Sequence, residues 1–186
     1  DDGSRAFVKA VSVEQNPHSP RIHRREAEVA TQLPPWVPAP RLRHVLDEGG
    51  WVVLVFDDVE GRTPTEPWTT ADLDVVVPAV VDLTGQLSPS PVADVQTVED
   101  RYEEPFSGWR RLASGDGELE RVAPWARERI DALAETEAGW PTAAAGTTLL
   151  HTDLRADNVL LGADGRVWFV DWPWACTGAA FVDPLF

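Results

Sequence analysis

Four side chains with acid–base or metal-binding capacity lie near the end of the sequence. His151, Asp153 and Asn158 have the spacing H-x-D-x-x-x-x-N, and Asp171 follows two apolar segments that predict a β-hairpin. A carboxylate can orient a hydroxyl group and accept its proton, whereas a carboxylate and an amide oxygen can together hold magnesium against phosphate groups. The pattern predicts phosphoryl transfer, with Asp153 as the proton acceptor and with Asn158 and Asp171 as ligands of Mg²⁺.

Each of these residues alone would also suit an ordinary loop, because Asp and Asn side chains cap turns and a histidine can bond to the backbone. Their joint placement in a polar loop between apolar strands is what favours a catalytic function. Two alternatives stay open at this point. One is a metal-dependent hydrolase that uses His151, Asp153 and Asp171. The other is a nucleotide-binding regulator without catalytic activity.

A strand and a helix near the N-terminus carry a second pair of charged residues. The only lysine, Lys9, shares the apolar face of a strand predicted over residues 5–13. Glu26 falls on the inward stripe of a helix predicted over residues 21–33. A carboxylate in an apolar environment requires a cation, so we predict that Lys9 and Glu26 form an ion pair. The alternative is a solvated Glu26 at the edge of the stripe.

Several segments resemble the aminoglycoside phosphotransferase family, whose fold is similar to that of protein kinases. LLHTDLRADNVLL and VWFVDW resemble the family's catalytic loop and metal-binding segment. RAFVKAV and RREAEVATQLPPWVPAPRL resemble the strand and helix that carry its nucleotide-binding lysine and the partner glutamate, at the positions of Lys9 and Glu26. The resemblance implies a small-molecule kinase that uses ATP and Mg²⁺, with Lys9 on the α and β phosphates.

The resemblance also assigns residues around the nucleotide. WVVLVFDDVEG resembles the strand and linker between two lobes, which implies that backbone groups of Asp57 and Val59 hold the adenine. Arg155 stands where protein kinases carry a lysine that touches the transferred phosphate, which implies a catalytic role for it. A salt bridge between Arg155 and Asp157 is the alternative.

Two other positions bear on the catalytic loop. Thr152 departs from the family pattern, in which glycine is usual between the histidine and the aspartate. Asp183 matches an aspartate that braces the catalytic loop in the family, so the resemblance gives it a structural role.

The expected fold class is α+β, with two lobes as in protein kinases. Residues 1–60 would form a partial nucleotide-binding lobe and hinge, with an antiparallel sheet and one helix. Residues 61–186 would form a mainly helical catalytic and acceptor lobe that contains the catalytic hairpin. Further expected elements are a hairpin of residues 42–46 and 51–56, helices over 71–87 (capped by Thr70) and 118–138, loops over 88–105, and a linker at TAAAG. The family's phosphate-covering hairpin and final helices find no counterpart, so we expect both ends to be truncated.

The amino-acid composition limits the classes of molecule that this protein is expected to bind. The formal charge of −15 argues against nucleic acid or an anionic membrane surface, since both require clustered cations. A cationic or neutral small-molecule hydroxyl acceptor fits better; aminoglycosides, macrolides, choline, homoserine and sugar derivatives are all compatible with the motifs. A single cysteine and the lack of an apolar run of about 20 residues predict a cytoplasmic protein.

Overall fold

The computed structural model describes residues 5–185, and its N-terminal part is an antiparallel sheet covered by one helix. The sheet has the strand order β1-β3-β2, with β1 at Ala6–Ser12, β2 at Leu42–Glu48 and β3 at Trp51–Asp57. Helix α1 spans Ser19–Gln32. Between sheet and helix lies a buried cluster formed by Val11, Ala27, Val52, Leu54 and Phe56. Both the predicted strand and the predicted helix are confirmed.

The hairpin of β2 and β3 turns on two glycines. Gly49 and Gly50 have φ values of 59° and 80°, which glycine adopts without the steric cost that a side chain brings. The predicted hairpin is confirmed, but its turn is tighter than the sequence indicated. The strands continue to Glu48 and resume at Trp51, so only the two glycines are left between them.

The rest of the described chain is mainly helical and surrounds a small hairpin. Its elements are β4 (Gly61–Arg62), α2 (Thr70–Gln86), α3 (Val98–Tyr102), α4 (Gly108–Ala113), α5 (Pro124–Arg127), α6 (Ile130–Ala138), α7 (Trp140–Ala144), β5 (Thr148–Leu150), β6 (Val159–Gly162), β7 (Val167–Phe169) and β8 (Cys176–Gly178). Strands β4, β6 and β7 form one antiparallel sheet and β5 pairs with β8. None of the helices within residues 5–185 combines the length and apolar character needed to cross a membrane.

The largest buried cluster connects α1 with the helical part and the β6–β7 hairpin. It includes Val29, Leu83, Leu87, Leu149 and Phe169, none of which is more than 2% exposed. This packing fixes the position of the hairpin relative to α1. The mixture of helices with antiparallel sheets confirms the α+β class.

Two sequence predictions for the helical part, a helix over residues 118–138 and a linker at TAAAG, are wrong in whole or in part. The single helix expected over residues 118–138 is instead a 3₁₀ turn followed by α5 and α6, because Pro124 has no N–H to continue a helix and starts a new one. The loop-rich character expected over residues 88–105 is confirmed, but the segment also contains α3, which a reciprocal capping box of Thr97 and Asp100 initiates. The expected linker TAAAG falls partly within α7.

The N-cap of α2 is Thr69 rather than Thr70. Thr69 has an extended backbone, and its hydroxyl accepts a hydrogen bond from the Asp72 N–H at 3.1 Å. The Asp72 carboxylate is buried and receives hydrogen bonds from Arg62, Thr65 and Thr69. These partners, with Arg62 the strongest, hold the pKa of the Asp72 carboxyl well below its usual range.

Replacing Thr69 and Thr70 separately by alanine will show which of them caps helix α2. We expect Thr69→Ala to lower the free energy of unfolding by about 1–2 kcal/mol, because it removes both the cap and a hydrogen bond to buried Asp72. Thr70→Ala should change it by less than about 0.5 kcal/mol. Urea unfolding curves measure both values, and equal losses in the two variants would contradict the assignment.

Candidate active site

The ammonium group of Lys9 joins three separate parts of the chain. Its Nζ donates to Glu26 Oε1 and Oε2, at 2.7 and 2.9 Å, and also forms an ion pair with Asp171 Oδ1. Glu26 is only 3% exposed, and a buried carboxylate is stabilised by a cationic partner at this distance. The predicted pairing of Lys9 with Glu26 is confirmed, whereas the contact with Asp171 was not predicted. Strand β1, helix α1 and the segment after β7 therefore meet at one charged group.

A cavity of about 220 Å³ extends from this charged group towards the end of β3. Lys9, Glu26 and Asp171 line one part of it, and Asp57 and Val59 line another. The apolar residues of its wall are Phe7, Ala30, Leu33, Ala39, Pro40, Phe56, Leu160, Val170 and Trp172. An apolar slot with a cation at one side can accept a flat heterocycle that carries phosphates.

The lining residues were only partly foreseen. Phe7 could have been recognised, because it shares a strand face with Lys9. Leu160 lies two residues beyond Asn158 on β6, and only the pairing of that strand brings it to the cavity. At the opposite side, the carboxylate of Asp57 is held by Arg43 Nε and Nη2 at 2.6 and 2.8 Å. Contact of Asp57 with a ligand would therefore involve its backbone, as the resemblance implies.

The catalytic-loop carboxylate is held in place by two neighbours. Asn158 Nδ2 donates to both the backbone oxygen and Oδ2 of Asp153, each at 2.9 Å. Arg155 Nε lies 3.3 Å from Asp153 Oδ1, and Arg155 Nη2 donates to Asp157 Oδ2 at 2.8 Å. The salt bridge to Asp157 that was weighed as an alternative is thus present, alongside a contact with Asp153. The catalytic role of Arg155 stays a prediction.

Buried Asp183 supports the start of the same loop. It accepts hydrogen bonds from the backbone N–H groups of His151 and Thr152, at 3.0 and 2.8 Å. Asp183 is fully buried. Burial raises the pKa of Asp183 to about 6, although both N–H bonds act in the opposite direction. The contacts confirm that Asp183 braces the loop.

The side chain of His151 is held by a backbone hydrogen bond and by packing against an aromatic ring. Its Nε2 lies 2.8 Å from the carbonyl oxygen of Val170, and its ring packs edge-on against Trp172 at 4.6 Å between centroids. Burial lowers the pKa of His151 to about 4, so the ring is neutral at physiological pH. The bond to Val170 ties the catalytic loop to the strand end that carries Asp171.

Thr152 occupies a backbone conformation that explains why glycine is usual at this position. Its φ of 60° lies in the left-handed region, where a β-branched residue is strained. Its hydroxyl donates to the carbonyl of Trp174 at 2.9 Å, which offsets part of that cost. This hydrogen bond joins the catalytic loop to the segment after Asp171.

The donor set near Asn158 and Asp171 suits magnesium. The amide nitrogen of Asn158 is engaged by Asp153, so the amide oxygen is the atom left for a cation. The Val170 N–H donates to the Asn158 carbonyl at 3.0 Å. Asn158 is therefore bonded to the residue that immediately precedes Asp171. Mg²⁺ prefers such hard oxygen ligands, completed by phosphate and water. Within residues 5–185 no group of three or more His, Cys, Asp or Glu side chains could hold a metal by itself.

Comparison with known proteins identifies the kind of molecule that this fold and site define. Residues 1–185 match the model of the phosphotransferase enzyme family, APH, and the chain belongs to that family. The family assignment agrees with the resemblance found in the sequence. The hydrolase alternative has no support.

Two curated relatives are homoserine kinases of the genus Methylobacterium. The one from M. nodulans is 39% identical over 77 residues, which are 40% of this chain and 24% of that protein. The one from Methylobacterium sp. strain 4-46 is 39% identical over 80 residues, or 41% of this chain and 24% of that protein. The match thus spans about a quarter of the length of these relatives.

Solved structures of aminoglycoside phosphotransferases share the fold. APH(3'')-Id from Streptomyces rimosus, in complex with ADP and streptomycin, has a TM-score of 0.58 and 22% identity, covering 98% of this chain and 70% of that one. A thermostable mutant of APH(4)-Ia, in complex with ADP and hygromycin B, has a TM-score of 0.59 and 13% identity, covering 97% and 63%. These similarities establish a kinase-like fold for the described chain.

The pKa of Asp183 is raised and that of His151 is lowered, so the free energy of unfolding should depend on pH. The folded state retains a proton on Asp183 up to about pH 6, whereas an unfolded aspartate loses it near about pH 4, so this group lowers the free energy of unfolding as pH rises between them. His151 acts with the opposite sign, because its folded pKa of about 4 lies below its unfolded value. The contributions of Asp183 and His151 to the free energy of unfolding therefore oppose each other between about pH 4 and about pH 6.

Asp183→Asn removes only one of these contributions. We expect the free energy of unfolding of this variant to rise more steeply than that of the unmodified chain between about pH 4 and about pH 6, by up to about 2–3 kcal/mol. Urea unfolding at a series of pH values measures the difference. Asp82→Asn, in an exposed part of α2, is the control and should give a profile parallel to the unmodified chain. A parallel profile for Asp183→Asn would disprove the linkage.

Proposed function

We propose that this chain catalyses transfer of the γ-phosphoryl group of ATP to a hydroxyl group of a small molecule. The observation that carries the proposal is the contact of Lys9 with both Glu26 and Asp171 at one side of an apolar cavity. This arrangement would provide a phosphate-binding cation beside a metal-binding carboxylate. Membership of the phosphotransferase family supports the same reaction class.

The nucleotide would lie in the cavity of about 220 Å³. Backbone groups of Asp57 and Val59 would bind the adenine, and Lys9, oriented by Glu26, would bind the α and β phosphates. We also propose that residues 1–60 act as the nucleotide-binding lobe and hinge and residues 61–186 as the catalytic and acceptor lobe. The pairing of β4 with β6 supports a boundary before Gly61.

Asp153 would orient the acceptor hydroxyl and accept its proton, while Asn158 keeps the carboxylate in position. The hydroxyl oxygen forms a bond to the γ-phosphorus as the bond from that phosphorus to the β-phosphate oxygen breaks, which leaves ADP. Mg²⁺ held by Asn158 and Asp171 would neutralise charge on the phosphates. Arg155, 61% exposed in its side chain, could reach the transferred group if it exchanged its contact with Asp157.

The acceptor we propose carries an amino group as well as a hydroxyl group. Homoserine and the aminoglycosides named for the relatives have both groups. The formal charge of −15 favours a cationic over an anionic molecule as a whole. A cytoplasmic location, where ATP is available, fits this activity.

The test measures ADP release from ATP and Mg²⁺ with homoserine, streptomycin, hygromycin B and choline as acceptors. With the best acceptor, Asp153→Asn should lower kcat by about 100-fold or more while the Kd for ATP changes less than about threefold. Asp164→Asn, at the tip of the hairpin, is the control and should retain full turnover.

Turnover that survives in Asp153→Asn would show that Asp153 is not the base. If the unmodified chain phosphorylates only choline, which has no amino group, the proposed acceptor class is wrong. If it binds ATP but phosphorylates none of the four acceptors, the silent regulator becomes the better interpretation.

A further inference from the structure

A second cavity, of about 440 Å³, lies between the first turns of α1, helix α3 and the segment after Asp171. It is separate from the nucleotide cavity and shares no lining residue with it. Its wall consists of Arg21, Ile22, Arg25, Gln96, Asp100, Arg101, Pro173, Trp174 and Ala175. Three arginines around one cavity are unexpected in a chain with a formal charge of −15.

These arginines differ from most others in the protein. Most arginines elsewhere in residues 5–185 lie beside carboxylates, as in the pairs of Arg24 with Asp47 and of Arg43 with Asp57, and Arg25 of the cavity is itself paired with Glu28. Within the described part of the chain, by contrast, neither Arg21 nor Arg101 lies within salt-bridge distance of a carboxylate. The positive charge at this cavity is therefore left largely uncompensated.

Two guanidinium nitrogens at the cavity lack a hydrogen-bond partner. Arg25 Nη2 and Arg101 Nε are both buried and unpaired among residues 5–185. Arg25 uses a different nitrogen, Nη1, for its bond to Glu28 at 3.3 Å. Buried N–H donors without an acceptor are costly, and a small rearrangement that admits the oxygens of an anion would satisfy them.

The guanidinium of Arg101 is held in a defined orientation. It lies over the ring of Trp174 at 4.3 Å from the centroid, and over Tyr102 at 5.2 Å. The only acidic residue of the wall, Asp100, accepts bonds from the N–H and hydroxyl of Thr97 in the cap of α3. These bonds engage one oxygen of Asp100 in the cap, and the wall keeps three arginines against this one carboxylate.

We propose that Arg21, Arg25 and Arg101 form a binding site for a carboxylate or phosphate group of a small molecule. Arginine binds the oxygens of both groups through paired N–H donors, so both fit the same chemistry. The site does not depend on the proposed phosphoryl transfer, and its occupancy is measured separately from turnover.

The position of the cavity connects it with the catalytic machinery. Arg25 precedes Glu26 in α1, and the Trp174 carbonyl accepts the hydroxyl bond of Thr152, which precedes Asp153. An anion that binds Arg25 and Arg101 together would link α1 to α3, whose Arg101 stacks on Trp174 in the segment after Asp171. The bound anion is either a separate effector molecule or the acidic group of the acceptor.

Titration with inorganic phosphate at constant ionic strength tests the site, with calorimetry as the readout and sodium chloride as the reference salt. We expect saturable phosphate binding that Arg21→Gln and Arg101→Met each weaken at least about tenfold. Arg24→Gln is the matched control, since it removes an equal charge from the same helix outside the cavity, and it should change the affinity less than about twofold. Circular dichroism and thermal unfolding establish that each variant is folded.

Two results would overturn the proposal: phosphate that binds no better than chloride, or equal weakening in Arg24→Gln and Arg21→Gln. Because Arg21 is exposed, its variant keeps the test decisive if Arg101→Met fails to fold. Repeating the titration with saturating homoserine distinguishes the two sources. Competition would assign the site to the acceptor's carboxylate, and simultaneous binding would assign it to a separate anion.

Discussion

The structure around the active site depends on one cation shared by two carboxylates. Glu26 is buried and paired with Lys9, and Lys9 also contacts Asp171 beyond the hairpin. The three groups come from a strand, a helix and a loop that are far apart in the sequence. Their meeting defines the distance between the sheet and the hairpin, and the apolar cavity occupies the space beside them.

The same ion-pair cluster determines what the cavity can bind. A desolvated ammonium group attracts anions more strongly than a solvated one, because the surrounding dielectric is low. In the proposed reaction, a nucleotide would exchange its phosphates for part of the contact between Lys9 and Asp171 and would free that carboxylate for magnesium. Glu26, which is almost inaccessible to solvent, would keep the ammonium in place during this exchange.

Residue types and periodicity predicted much of this arrangement. Strand alternation placed Lys9 on an apolar face and helical spacing placed Glu26 inward, so the pair followed from the cost of an isolated buried charge. The contact with Asp171 could not be predicted, because it requires the tertiary packing of the hairpin against α1. The helices between residues 88 and 145 were poorly predicted, since Pro124 and the cap at Thr97 determine where short helices begin and periodicity alone does not.

The most direct test of the account compares two glutamates of helix α1. Glu26→Gln should raise the Kd for ATP at least about tenfold, because Lys9 loses the carboxylate that orients it, while the Kd for adenosine stays within about twofold. Glu28→Gln, an exposed neighbour on the same helix, should leave both constants unchanged. If Glu26→Gln binds ATP as tightly as the unmodified chain, the ion pair of Lys9 and Glu26 does not organise the phosphate site and the account is wrong.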